Sequence, residues 1–446
     1  MKRRFIRGWV VALSLVHPQA QAAPQDHAPW VWPSEPPAAC PFPDSTEIVA
    51  IAFTGRHRRY LVGDTWYPSW ATDDRLYSPF TDGKCPRLDG GFDLARSFRG
   101  KVATTGHAVL EGADPLNLKM YSLGLQEASA EPYAGRYPAG SLVHNGVWYY
   151  GTYCLSPSGD TRYGHGPTQW NWPWLGPFVG FRVSRDYGRT WSKAPHTPEK
   201  PLFGETGLWG YPVKIGVPHF VDFGRNMEFS PDGKAYLVAH GATETDPKPR
   251  FANLSWITGD QIYLLRVTPS IETINDPKQY EFFAGSDAGG RVQWTRDFDA
   301  MRPLVEWNNN CGSVTVTYNA PLKRYLMLVT DGWPTTGPMN TYMLESASIT
   351  GPWALVTYLK GFGEQAYFVN IPSKFISPDG RTMWLAYSAN FAVDRGRTPI
   401  YVDPPGSGYG LVLQEIHLLD REGLKRFRNN PRPARSPAPP HRGWED

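Results

Sequence analysis

Val147-Trp-Tyr-Tyr-Gly-Thr-Tyr153 follows the turn pair Asn145-Gly146. A turn that favours positive φ, then β-branched and aromatic residues, reads as the second strand of a hairpin. Similar segments recur with different residues. Tyr60-Leu-Val-Gly-Asp-Thr-Trp66 lies upstream. Downstream are Lys234-Ala-Tyr-Leu-Val-Ala-His-Gly241, Arg324-Tyr-Leu-Met-Leu-Val-Thr-Asp-Gly332 and Arg381-Thr-Met-Trp-Leu-Ala-Tyr-Ser388. Pro231-Asp-Gly233, Pro321-Leu-Lys323 and Pro378-Asp-Gly380 supply the preceding turns. Shorter strands such as Gly140–Val143, Val217–Val221 and Ser313–Thr317 precede several copies, and strands such as Val179–Val183 and Ile262–Val267 follow. Three or four strands per period of 57–90 residues predict an all-β fold, a β-propeller of five blades. The irregular stretch 86–135 leaves room for a further blade, so six or seven stay open.

Composition agrees. The 446 residues include 18 Trp, 23 Tyr and 21 Phe, with 44 Gly and 43 Pro. That is too aromatic for a disordered chain and too rich in turn-formers for a helical bundle. After residue 20 no apolar run is long enough to cross a membrane as a helix. Lys2, Arg3, Arg4 and Arg7 before Trp9–Val16, with Ala20-Gln21-Ala22 behind, read as a secretory signal over 1–22. The expected organisation is that signal, an N-terminal extension at 23–45, a propeller at 46–420 and a basic, Pro-rich, disordered tail at 421–446. The signal carries four positive charges and the tail a net +4. The overall +3 therefore leaves −5 on the body, which argues against nucleic acid as the partner. After signal removal no membrane association is expected, and the location is secreted or periplasmic. Cys40, Cys85, Cys154 and Cys311 fit no zinc spacing. One or two disulfides suit an exported protein. All three full pairings stay open, and Cys40–Cys85 closes the shortest loop.

The acids suggest chemistry. Asp64 lies in an apolar, aromatic stretch, and Asp73, Asp74 and Asp82 follow within 19 residues. Glu228 stands among Met227 and Phe229, and Glu364 among Phe362, Tyr367 and Phe368. Desolvation by such neighbours would raise a carboxyl pKa toward that of a general acid. Asp331, before Trp333, repeats the order strand, Asp, Trp seen at Asp64. Glycoside hydrolysis needs two carboxyls, roughly 5 Å or 6.5–9.5 Å apart. Asp64, Asp82, Glu228 and Glu364 are the catalytic candidates. Asp74 and Asp331 are substrate-binding candidates. Trp66, Trp70, Trp333 and the loop-like cluster Trp170, Trp172 and Trp174 are candidate platforms for sugar faces. His144 and His165 flank a Tyr-rich strand, near Arg136, Arg162 and Arg182. That set would suit a polysaccharide lyase acting on a uronate. No cofactor is expected. Calcium at Asp73-Asp74 has thin support, since no EF-hand loop surrounds the pair.

Ser184-Arg-Asp-Tyr-Gly-Arg-Thr-Trp191 fits the pattern S-x-D-x-G-x-T-W. It resembles the Asp-box of sialidase-type propellers, a structural turn remote from the catalytic centre. The five-period layout, with an Asp in the first inner strand, looks like the five-bladed arabinanase-type glycosidases, including the endo-D-arabinanase-like group. The resemblance implies that Asp64 is a catalytic carboxylate with Asp82 or Glu228 as partner. It makes an exported glycoside hydrolase the first expectation, a uronate-directed lyase the second and a non-catalytic glycan-binding propeller the third.

Overall fold

The structure is a computed structural model that describes residues 28–156, 172, 174–208, 211–243, 255–391, 401–427 and 436–437. The signal reading of 1–22 and most of the tail fall outside these residues. Among the described residues, no helix is long and apolar enough to cross a membrane.

Five antiparallel sheets form the blades of a propeller. Blade 1 runs Ser69–Trp70, Leu76–Phe80, Thr104–Glu111 and Lys119–Glu127 from inside outward. Blade 2 is Gly135–His144, Val147–Ser156 and Trp174–Ser184. Blade 3 starts with His219–Phe220, Ala235–Gly241 and Gln261–Val267, and blade 4 spans Val314–Asn319 to Ala354–Leu359. Blade 5 joins both chain ends. Its inner strands Ala366–Asn370, Thr382–Ala389 and Leu411–Leu419 continue into Ala50–Tyr60 and Trp30–Val31 from the N-terminal side. Ala50 pairs with Leu419 and Tyr60 with Leu411.

Each seam between inner strands carries a hydrogen bond. Val143 N donates to Ser69 Oγ (2.8 Å) between blades 1 and 2, and Gly140 N to Pro218 O (2.7 Å) between blades 2 and 3. Asp222 N donates to Val316 O (2.9 Å) between blades 3 and 4. Thr315 Oγ1 donates to Val369 O (2.8 Å), and Asn370 Nδ2 to Trp66 O (3.0 Å), closing the ring. Blades pack face to face, so both faces of a strand are buried. Trp174–Ser184 is buried at every position. This is why the strands read as continuous aromatic runs rather than as apolar–polar alternation.

Four of the five repeated segments are the second strands of blades 2 to 5. Tyr60–Trp66 is a correction: Tyr60 ends the closing strand of blade 5, and the rest connects to blade 1. The true second strand of blade 1 is Leu76–Phe80, whose Pro79 disguises it. The stretch 86–135 holds a hairpin and the two outer strands of blade 1, so no sixth blade occurs among the described residues.

The turn after Ser184 is built by its own side chains. Ser184 Oγ accepts Gly188 N (2.8 Å), and Asp186 Oδ1 accepts Thr190 N (2.8 Å). Asp186 Oδ2 takes the Thr190 hydroxyl (2.6 Å). Gly188 has φ +89°, and a Cβ there would meet Trp148 at 2.8 Å. Trp191 packs against His107, Trp148 and Tyr150.

All four cysteines are free thiols. Cys85 lies on the blade 1 hairpin, while Pro43, Asp44 and Ser45, just past Cys40, bond to blade 4. The shortest-loop pairing is therefore not formed.

The closing strand pair should carry much of the stability. Ile416 is fully buried between Phe53 and Met383. Ile416→Ala is expected to cost about 2–5 kcal/mol in reversible denaturant unfolding. A loss below about 1 kcal/mol would show that the closure is not tightly packed.

Candidate active site

Asp64 sits in the connection from blade 5 to blade 1. Its N–H donates to Thr81 O (2.7 Å), and Thr81 N donates back to Asp64 O (2.8 Å). Gly63 N donates to Lys84 O (2.8 Å). The approach is tight, since a Cβ on Gly63 would stand 2.5 Å from Thr81 O. This pairing sets Asp82 beside Asp64. Asp82 has φ +40°, its Oδ1 accepts Ser97 N (2.8 Å), and its carbonyl takes the Tyr409 hydroxyl.

The two carboxyls have different surroundings. Asp64 is 6% exposed. Its Oδ2 accepts the Tyr367 hydroxyl at 2.6 Å, and its Oδ1 is buried without a hydrogen-bond partner among the described residues. Burial first, and the charge of Asp82 second, hold the Asp64 pKa well above the usual carboxylate range. Asp82 is only partly buried. The wall is phenolic. Burial pushes Tyr67, Tyr153 and Tyr367 up in pKa, and the nearby charge of Asp64 adds to the shift in all three.

This site lies where the inner strands begin. Gln365, just before Ala366–Asn370, donates through Nε2 to Thr335 O and Gly337 O (3.1 Å each). That links blade 5 to the loop carrying Trp333, which is half-buried at the same mouth. Glu364 is at this mouth too, with φ +57° and its carbonyl accepting Met339 N (2.9 Å). A cavity of about 40 Å³, lined in part by Tyr67, His219, Asp222 and Asn370, occupies the channel toward the other mouth.

Several candidates lie elsewhere. Glu228 is exposed at the opposite mouth, where Oε1 accepts Arg225 N (3.2 Å) to close a 3-10 turn, so it is not desolvated. Asp74 is there too, bonded to Trp70 Nε1 (2.9 Å) and to Lys374 (3.4 Å). Trp70 is thus a surface partner of Asp74 and not a platform beside Asp64. Trp66 is buried, stacked on Phe80 at 5.6 Å, and belongs to the core. Trp172 and Trp174 are buried as well; Trp172 packs on Tyr137 and Phe391. Trp170 and His165 lie outside the described residues.

Asp331 does not repeat the Asp64 position. It ends the second strand of blade 4 and is held within that blade by Asn340 Nδ2 (2.6 Å) and the Tyr358 hydroxyl (2.9 Å). Burial pushes its pKa up to about 6. His144 bonds Asn226 O (3.1 Å) at the opposite mouth, so this histidine of the lyase set does not stand beside Asp64. Asp73 Oδ1 accepts Arg75 N (3.2 Å) and Asp73 Oδ2 accepts the Tyr77 hydroxyl (2.7 Å).

Sequence reasoning missed Tyr67, Tyr153, Tyr367 and Tyr409. Tyr367 stood in the quoted surroundings of Glu364, but its partner lies 303 residues away.

No family model matches the chain, and no curated protein matches it. Among solved structures, a protein from Bacteroides ovatus ATCC 8483 overlaps at 14% identity and TM-score 0.44, over 91% of this chain and 97% of that one. The GH43_1 enzyme from Xanthomonas citri gives 16% identity and TM-score 0.42, over 80% and 87%. The α-L-arabinofuranosidase PaAbf62A from Podospora anserina gives 14% and 0.38, over 87% and 96%. Identity at this level says nothing about the reaction.

The raised Asp64 pKa has a consequence for stability. An acid whose native pKa exceeds its unfolded value binds its proton more tightly when folded. Its stabilising effect is complete below the unfolded value, about 3.9, and is lost as pH rises through the native value. Asp64→Asn should flatten the fall in melting temperature over that rise. An unchanged slope would show that Asp64 ionises normally.

Proposed function

We propose that this protein is an exported glycoside hydrolase in which Asp64 is the general acid and Asp82 the charged partner. The observation that supports this most is the divergent pair itself. One carboxyl is buried, has its pKa raised by that burial, and has an oxygen without a hydrogen-bond partner among the described residues. The adjacent one is partly exposed and held by a backbone N–H. Two neighbouring carboxyls in such unlike surroundings are the pattern of an acid/base pair. Protonated Asp64 would deliver its proton to the glycosidic oxygen. Ionised Asp82 would stabilise positive charge at the anomeric carbon and either activate water or attack. Trp333 at the same mouth offers an aromatic face to a sugar ring.

This reading narrows the four catalytic candidates to Asp64 and Asp82, with Glu364 at the rim. It agrees with the arabinanase-type resemblance read from the sequence. The substrate is a polysaccharide or glycan, and export would place the reaction outside the cytoplasm.

Arabinans, rhamnogalacturonans, ulvan and gum arabic make a suitable panel, with reducing ends and unsaturated uronates as readouts. New reducing ends without unsaturation are expected. Asp64→Asn and Asp82→Asn should each lower kcat by about 10²–10⁴. Unsaturated products would sink the hydrolase in favour of a lyase. Glycan binding without any product would favour a binding module.

A further inference from the structure

We infer that Tyr367 is a positioning residue that confines the transferable proton of Asp64 to Oδ1. The inference rests on the acid role proposed above for Asp64 and adds the atom from which the proton leaves.

A phenol has one hydrogen to give. Tyr367 spends it on Asp64 Oδ2 at 2.6 Å. Oδ2 is then the accepting, carbonyl-type oxygen. A neutral Asp64 must carry its proton on the other oxygen, Oδ1, which has no partner of normal hydrogen-bond geometry among the described residues, although the Thr65 hydroxyl lies close to the carboxyl. The reverse arrangement, with Asp64 donating to the phenol, would need a second acceptor for the Tyr367 hydrogen, and none occurs among the described residues.

Tyr367 is well fixed for this task. Its ring stands edge-on to Trp256 (5.4 Å, 89°) and to Phe391 (5.6 Å, 89°). Its strand partner is Ser388, whose Oγ accepts Thr65 N (3.3 Å) and donates to Gly410 O (2.6 Å). The same pair of strands therefore holds the donor and the residue after the acid. The other titratable groups around the pair are Asp82 from the neighbouring connection, Tyr67, Tyr153 from blade 2 and Tyr409 from the blade 5 loop.

During the reaction the proton leaves Oδ1 and its bonding pair stays on the carboxylate. The glycosidic oxygen takes that proton as it takes the bonding pair of the breaking C–O bond. Water supplies the replacement bond at the anomeric carbon with an oxygen lone pair, and the proton it sheds passes to the Asp82 carboxylate. The carboxylate that forms keeps the Tyr367 hydrogen bond, which strengthens as charge develops.

The hydrogen bond favours ionised Asp64, so Tyr367→Phe should make it a weaker acid. The alkaline limb of the kcat profile should move up by about one to two pH units, as expected for a hydrogen bond to a charged group. At neutral pH kcat should fall about tenfold with KM nearly unchanged. A merely structural role would lower the active fraction and leave the limb in place. An unmoved limb overturns the inference.

An infrared readout needs no substrate. The carboxyl C=O band that disappears in Asp64→Asn should titrate at higher pH in Tyr367→Phe, and an equal midpoint overturns the inference. Should that variant fail to fold, the wild-type band decides. A frequency lowered by a hydrogen bond to the carbonyl oxygen is expected, and a free carbonyl overturns it. If these bands behave as expected but no glycan is cleaved, the proton assignment stands and the hydrolase reading falls.

Discussion

The pairing of Ala50–Tyr60 with Leu411–Leu419 is the constraint on which the rest of the molecule depends. It turns an open row of five sheets into a ring. A propeller blade buries its faces only against its neighbours, so an open ring would leave two aromatic faces in water. Closure also fixes where the chain enters blade 1. Asp64 comes four residues after the closing strand, and Tyr367 comes from the inner strand of the same blade. The candidate acid and its hydrogen-bond donor therefore meet only when the first and last parts of the chain are joined.

The seams explain how a ring of short inner strands holds its geometry. Each of the five junctions carries at least one backbone or side-chain hydrogen bond. Ser69, Thr315 and Asn370 supply polar side chains where blades converge too closely for a further strand. Buried polar groups that are satisfied in this way favour one arrangement over others. Asp64 Oδ1 stands apart from that pattern. It is a buried carboxyl oxygen with no hydrogen-bond partner among the described residues, in a connection otherwise tied down by Thr81, Lys84 and Ser388. A cost of this kind persists where the surrounding structure over-determines it and where the group has work to do.

Much of the fold was legible because turn and strand signals coincide. Asn145-Gly146 before Val147, and Pro378-Asp-Gly380 before Arg381, locate true second strands. The first copy misled because Tyr60–Trp66 has the right composition but spans a strand end and a connection. The real strand, Leu76–Phe80, hides behind Pro79. Asp64 was legible because its sequence neighbours are also its spatial neighbours. Glu228 misled for the opposite reason: Met227 turns inward at φ +61° while Glu228 faces water. Trp66, Trp172 and Trp174 belong to the core, since blade packing needs large rings more than loop composition suggests. Tyr367 was not legible as a partner of Asp64, because no local pattern reports a contact across 303 residues.

The most direct measurement is a crystal structure of Asp64→Asn bound to an oligosaccharide from the cleaved glycan. The expected result is a glycosidic oxygen within hydrogen-bond reach of the residue 64 side chain, with the adjoining sugar ring facing Asp82. A sugar bound instead at the opposite mouth, beside Asp74 and Glu228, would contradict the account.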